Sequence, residues 1–592
     1  MCGIAGKLHW QPLFKNNNVK RMSERLVHRG PDEIGSLELD NISLGFTRLS
    51  ILDLSKKASQ PMSTSDNRFH ITFNGEIYNF KELRKELKDK NYKFKSRSDT
   101  EVVLYSYVEW GTKCLKLFNG MFALAIWDSK NKMLFLARDR FGQKPIYYHS
   151  NNKKEFIFAS ELSALTVDET VPKNISMEAI NCYLAIGYIL SPMTFYEDIY
   201  KLEPGTYLLV SNNGNKIIKN KYWDYAFSFR SKTREKKSDI AKHLEYLLEK
   251  SVKRRLVSDV PVGAFLSGGI DSASIVSMMK KHYSEKLHTF SVGFNEKSYN
   301  EIPDAEKVSK WFDTIHHSYL SDLGGELDPT NIAIDSFDEP FSDTSLIPTF
   351  EVSRLASQYV KVVLSGDGAD ELFAGYQTYK ADKYYSFFQY FPNMIKIGLS
   401  ELGRTFSQSH KKLNLGYRFQ QFFYGSMFNR QEAHFLWRIY FQPKERVAIL
   451  GEENRDLVYD SDPIHIFNKH FNDVEDLSFL DKSLYVDCMT WLADDILFKI
   501  DRASMRNGLE VRCPFLDVDL ATYAASIPVD LKMKGFDTKH ILKEALKSIL
   551  PKFVLSKKKS GFNAPIGTSI QKKGLDEFRS FNKYVFNRKV TL

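Results

Sequence analysis

Cysteine is scarce in this 592-residue chain: Cys2, Cys114, Cys182, Cys488 and Cys513 are the five, and no two form a CxxC pair. That excludes a disulfide framework, offers no zinc-ligand spacing and fits a reducing, cytoplasmic setting. The opening residues lack the charged start and apolar run of a secretory signal. Nowhere is there an apolar stretch of the roughly 20 residues needed to cross a bilayer, so no membrane partner is expected. Missing too is a long basic tract interleaved with aromatics. The 83 basic and 73 acidic side chains leave a net charge of +10, a mild excess that suits an anionic small substrate better than nucleic acid. The lysine clusters Arg234–Lys237 and Lys557–Lys559 read as solvated surface. No repeat or low-complexity tract breaks the pattern.

What is present is an ordinary globular composition, 43% hydrophobic and 26% charged, in a chain too long for a single core. Short strand-like runs fill the first part: Ile42–Leu52, His70–Phe73, Met121–Trp127, Met133–Ala137, Phe156–Ala159 and Tyr207–Val210. Helical patterns at Phe80–Lys88 and Thr100–Trp110 interrupt them, which predicts an α+β layered domain over 2–211. The polar, charged stretch up to Ser238 reads as a linker, 212–238. Beyond it strands alternate with helices: Gly263–Leu266, Ser272–Lys281, His288–Phe294, Ala305–Phe312 and Val360–Leu364. This is the signature of βαβ units and a parallel sheet in a domain over 239–592. From about Tyr376 onward the pattern is aromatic-rich and mainly helical.

The first chemical constellation begins at Cys2. Removal of Met1 would give this thiol its own base, because an α-amino group has a pKa near 8 and a thiol one near 8.5. Amide cleavage also needs donors for a developing oxyanion, and Asn74 followed by Gly75 supplies a side-chain amide and an approachable backbone N–H. An Asn-Gly pair is equally a hairpin-turn signal. An amino-acid substrate needs a cationic fork and a carboxylate, parts that Arg48 and Asp99 can fill.

The second constellation is Ser267-Gly268-Gly269-Ile270-Asp271-Ser272, a loop between a strand and a helix where backbone N–H groups can bind phosphate. It is not a Walker loop, since no Gly-Lys-Ser/Thr follows. Asp271 would repel phosphate without an intervening cation, which points to Mg²⁺. A second acidic loop, Ser365-Gly366-Asp367-Gly368-Ala369-Asp370-Glu371, falls at the carboxyl edge of the same sheet. Asp271 and Asp370 are the metal-ligand candidates, with helix N-caps as the competing role.

The runs MCGIAG, TRLSILDL, FNGEIYN, SDTE and RDRFGQKPIYY resemble the class II glutamine amidotransferase domain over about the first 200 residues. SGGIDS resembles the signature of ATP pyrophosphatases. With EPFSDTSLIPT, IDRASMRNGLEVRCPFLD and TKHILKEAL, the rest resembles the synthetase domain of the asparagine synthetase family. The resemblance implies an N-terminal-nucleophile αββα sandwich followed by an α/β, Rossmann-like ATP-pyrophosphatase domain with a largely helical C-terminal part. It implies that Cys2 attacks glutamine, which Arg48, Leu49, Ser50, Ile51, Leu52, Asn74, Gly75, Glu76 and Asp99 bind. ATP, as co-substrate, would be held by Leu266, Ser267, Gly268, Gly269, Asp271, Ser272, Val292, Ser365, Gly366 and Arg502, with Mg²⁺ on Asp271 and Asp370. Asp367 would lie near an acyl-adenylate, and Lys539 and Arg502 would meet the phosphates. The implied partners are glutamine, aspartate and ATP, with a homodimer as the candidate assembly. Some family members carry Glu where this chain has Asp367, which leaves a sugar uronate or a peptide carboxylate open as the acceptor. A non-catalytic glutamine or nucleotide sensor is the remaining alternative.

Overall fold

The computed structural model describes residues 2–10, 18–151, 155–211, 216–323, 328–405, 415–559, 561–566 and 577–590. The N-terminal part is built on two six-stranded antiparallel sheets packed face to face. One has the order Ile199–Lys201, Tyr147–Asn151, Glu155–Ala159, Gly3–His9, Ile42–Arg48, Glu33–Glu38. The other runs Ile217–Lys221, Thr206–Ser211, Met133–Arg138, Gly120–Asp128, Phe69–Ile77, Met62–Ser63. Between them Ile4, Leu8, Leu44, Phe46 and Phe158 meet Ala123, Trp127, Leu134 and Leu136. The outer face of the second sheet is covered by helices Phe80–Asp89 and Asp99–Trp110, through Ile71, Phe73, Leu83, Leu87 and Val103. Helix Asn18–Arg25 covers the first sheet, with Val19 and Met22 against Ala5 and Ile157. Sheets buried on both faces cannot show strict polar alternation, and Phe69–Ile77 is buried at all but one position.

The expected strand Ile42–Leu52 stops at Arg48. There the chain turns: Asp53 has φ 49°, and the Arg48 guanidinium binds the carbonyls of Asp53 and Ser55. Asn74 and Gly75 sit inside a nine-residue strand, opposite Ala123 and Phe122, so they form no hairpin turn. The expected linker is also largely structured. Residues 212–215 lie outside the described set, Ile217–Lys221 pairs with Thr206–Ser211, and Ala226–Arg230 is helical. Aromatic packing explains this, since Tyr225 stacks on Trp223 at 5.1 Å and meets Phe229 at 4.9 Å.

The C-terminal part carries a five-stranded, wholly parallel sheet in the order Ile315–Ser321, His288–Phe294, Val262–Phe265, Val362–Leu364, Glu510–Arg512. Its last strand comes from the region that reads as helical in sequence. Three residues are too short for a period, and only pairing with Val362–Leu364 makes Glu510–Arg512 a strand. The chain lays Val262–Phe265 first, builds outward on one side, then returns to the other. The loops after Val262–Phe265 and after Val362–Leu364 therefore face each other at the switch point, where open α/β sheets bind ligands.

Candidate active sites

Cys2 follows directly into the central strand Gly3–His9, which fixes its position above the sheet. Its backbone N–H donates to Asn74 Oδ1 at 3.1 Å, and Arg29 Nε donates to its carbonyl at 3.2 Å. With the Asn74 oxygen so engaged, its Nδ2 amide is left fully buried without a hydrogen-bond partner. A buried donor left unpaired is costly; Asn74 is fully buried beside Cys2 and does not itself line the adjoining cavity. Gly75 is required by packing: a Cβ there would lie 2.3 Å from the Met121 carbonyl oxygen.

Cys2 shares a cavity of about 40 Å³ with Arg48, Leu49, Ile51, Leu52, Gly75, Glu76, Asp99 and Glu510. Ser50 is not among the lining residues; its N–H turns away to Asp32 at 2.7 Å. Arg48 is held by Glu33 at 3.1 Å as well as by the two carbonyls of the turn. Asp99 opens its helix and accepts from the Ile77 N–H at 2.9 Å. Burial nevertheless pushes its carboxyl up to about 7, with Glu510 adding to the rise. Burial likewise raises Glu76, helped by Asp99, and raises the Cys2 thiol. Glu510 is the charged lining residue that sequence reasoning missed; Phe46, Ala58, Gln60, Phe73, Ser98 and Thr100 complete the wall. It arrives from the parallel sheet, and its only local signal is a buried acid two positions from its partner Arg512.

The second cavity, about 420 Å³, opens at the switch point. Leu266, Ser267, Asp271, Ser272, Ser365, Gly366, Asp367 and Asp370 all line it. Gly269 lines an adjoining space of about 70 Å³ with Lys539, Lys543, Lys557, Lys558 and Lys559. The lysine run read as solvated surface thus faces the phosphate loop, because the chain folds back over it. Gly268 lies in the loop between these spaces but lines neither. Val292 is 1% exposed and packs with Val352 and Ile500, while Phe290 and Ser291 supply the wall.

Arg502 lines neither of these spaces. It is 2% exposed and pairs with Glu161 at 2.7 Å and Asp338 at 3.2 Å, donating also to the Tyr147 hydroxyl. Glu161 from the first domain and Asp338 from the second claim the charge that the sequence offers to a nucleotide. Arg29 completes the network, bonding Glu161 at 2.7 Å and Asp501 at 2.8 and 3.0 Å.

Asp271 and Asp370 do come together. Lys539 Nζ lies 2.6 Å from both Asp271 oxygens and 2.7 Å from Asp370 Oδ1. Burial alone would raise Asp370, but Lys539 and Lys559 hold it down at about 2. Burial raises Asp367. Among the described residues no group of three or more His, Cys, Asp or Glu is arranged to hold a metal. Two hard carboxylates without a closed cage suit Mg²⁺, which keeps waters and takes its remaining ligands from phosphates.

A thiol beside an unpaired amide in one domain, and a phosphate loop facing paired carboxylates in the other, define a two-domain glutamine amidotransferase coupled to an ATP-using site. Residues 243–580 match the asparagine synthase family and residues 1–223 the glutamine amidotransferase domain. The chain is 34% identical over 570 residues to the glutamine-hydrolyzing asparagine synthetase 1 of Bacillus subtilis, covering 96% of this chain and 87% of that one. It is 38% identical over 429 residues to a putative asparagine synthetase 2 of Methanocaldococcus jannaschii, covering 68% and 81%. It is 26% identical over 620 residues to amidase chry2 of Gibberella zeae, covering 95% and 89%. The chain belongs to the glutamine-hydrolysing asparagine synthetase family. No helix among the described residues is long and apolar enough to cross a membrane.

Proposed function

We propose that the protein converts aspartate to asparagine, using ammonia from glutamine and the cleavage of ATP to AMP and pyrophosphate. In the first domain the Cys2 thiolate attacks the glutamine side-chain carbonyl, with its own amine, freed by loss of Met1, taking the proton. Asn74 Nδ2 and the Gly75 N–H stabilise the oxyanion. Ammonia leaves, and water cleaves the glutamyl thioester to glutamate. Arg48 meets the substrate carboxylate and Asp99 its ammonium, with Glu76 beside them. In the second domain the aspartate β-carboxylate displaces pyrophosphate from the α-phosphorus of ATP. Ammonia then attacks the β-aspartyl-AMP carbonyl, giving asparagine and AMP.

Asp271 and Asp370 would hold Mg²⁺, whose part is to neutralise phosphate charge. The loops at Ser267–Ser272 and Ser365–Gly366 would hold ATP, Lys539 would meet the phosphates, and Asp367 would lie by the acyl group. The observation that carries this reading is the unpartnered Asn74 amide beside Cys2, joined in one chain to the paired carboxylates of a phosphate-loop cavity. A two-domain division with the linker at 212–238 and a homodimer belong to the same reading, supported by the family resemblance, as does a cytoplasmic location, supported by the five unpaired cysteines.

Incubation with amide-¹⁵N-glutamine, Mg²⁺-ATP and a panel of carboxylic acids tests it. The expected result is aspartate-dependent pyrophosphate release and ¹⁵N in the asparagine amide. Release driven instead by a uronate or a peptide carboxylate, with aspartate inert, overturns the choice of acceptor.

A further inference from the structure

The carboxylates of Asp271 and Asp370 carry two ammonium groups between them, and only one belongs to a helix-anchored residue. Lys539 is 3% exposed and caps helix His540–Leu546, its backbone N–H bound to the Phe373 carbonyl at 3.1 Å. Its contact with Asp370 is built in by Gly375, where a Cβ would lie 1.8 Å from Asp370 Oδ1 and 2.2 Å from Lys539 Cε. Lys559 is different. It comes from a stretch without regular structure after helix Lys552–Leu555, and its side chain is 31% exposed. Its Nζ sits 2.5 Å from Asp370 Oδ2 and 3.7 Å from Asp271 Oδ2. Two residues earlier, Lys557 bonds Asp304 at 2.8 Å and the Ser267 carbonyl at 3.4 Å. Two residues later, Gly561, Phe562 and Asn563 wall the large cavity.

Resting on the reading of Asp271 and Asp370 as metal ligands, we propose that Lys559 is a placeholder cation. It occupies the seat between the two carboxylates while nucleotide is absent and leaves it when metal and nucleotide arrive together. The charge of the two carboxylates favours such a partner. A buried carboxylate and a half-buried one facing each other repel, and Lys539 alone leaves one negative charge of the pair uncompensated. Among these four side chains Lys559 brings the sum to zero. A divalent ion competing for that seat must expel an ammonium, so the nucleotide-free protein binds it weakly. The nucleotide phosphates reverse this, because they supply metal ligands and give the displaced ammonium a new anion. The exposed stem and irregular backbone let Lys559 move where Lys539 cannot.

The test is equilibrium binding of Mn²⁺ followed by electron paramagnetic resonance, with and without a non-hydrolysable ATP analogue. Wild-type protein is expected to bind Mn²⁺ strongly only with the analogue. Lys559→Met is expected to bind it at least tenfold more tightly than wild type without any nucleotide, while Lys559→Arg, which keeps the charge, stays like wild type. Thermal melts check that all three are folded. If wild type takes up Mn²⁺ with the analogue but Lys559→Met gains nothing without it, the placeholder role is overturned and the metal site stands. If wild type takes up no Mn²⁺ even with the analogue, the metal site falls and the placeholder with it.

Discussion

At Cys2 and Asn74 the division of labour between the two sites becomes a measurement. Cys2→Ala is expected to lower glutamine-dependent synthesis by about 1,000-fold or more while leaving synthesis from added ammonium chloride unchanged. Loss of both activities together would mean that the two sites are not separable. Asn74→Ala removes the unpartnered donor and should cost about 100- to 1,000-fold in kcat for glutamine hydrolysis, with a small change in KM. Asp99 gives a pH signature. Burial, aided by Glu510, lifts its carboxyl to about 7, and only the carboxylate form can pair with the glutamine ammonium. Glutamine affinity should therefore rise as pH increases through about 7. Calorimetric titration of the Cys2→Ala protein between pH 5.5 and 8.5 reads this without interference from the thiol. Asp99→Asn should bind weakly and without that step.

At the scale of elements, three helices of the C-terminal part are clamped through one histidine. His434, on Arg430–Leu436, bonds Asp382 of Gln377–Phe388 at 2.9 Å and Asp487 of Phe479–Asp487 at 3.0 Å. Burial opposes its charge, but the two carboxylates prevail, and its pKa is raised from 6.5 to about 9. A histidine with a raised folded pKa stabilises fully below its unfolded value, and the gain is lost as pH rises through the folded one. A rise from 6.5 to about 9 corresponds to about 3 kcal/mol. Urea midpoints should fall between pH 6.5 and 9, and His434→Gln should remove most of that slope. Strand Glu510–Arg512 works at the same scale. Arg512 bonds Glu510 at 2.6 Å and lies 3.4 Å from Glu76 in the Cys2 cavity, while its carbonyl accepts from the Ser365 N–H at 2.9 Å. One short strand thus touches both cavities.

Across the whole molecule the two domains are joined by buried ions. Arg29 and Arg502 are 0% and 2% exposed, and Asp501 and Glu161 compensate them across the boundary. Breaking a buried pair from one side leaves an uncompensated charge, at a cost of about 3–5 kcal/mol. Asp501→Asn strips Arg29 and Lys144 of a shared partner. It should lower the urea midpoint and raise the glutamate formed per asparagine above one, as the two sites lose register. A glutamate-to-asparagine ratio still near one would show that the network stabilises the interface without coupling the sites.

Motifs carried by contiguous residues are legible in the sequence alone: Cys2 ahead of a strand, Asn74-Gly75, the loop at Ser267–Ser272, and the parallel sheet announced by His288–Phe294. In each, the chemistry depends on neighbours in the chain. Asn74 still needed the fold to separate an oxyanion donor from a turn, because both readings use the same two residues and differ only in whether Ala123 and Phe122 lie opposite. Arg502, Glu510 and Lys559 were beyond the sequence. An arginine is a phosphate ligand or an ion-pair partner according to what faces it, and Glu161 faces Arg502 from 341 positions away in the chain. A lysine run is solvated surface until the chain folds back over a phosphate loop. The sequence by itself determined which reactive groups the protein owns and the local turns that present them. The tertiary structure decided which charges meet, because pairing energy depends on distance and burial, which residue order along the chain does not specify.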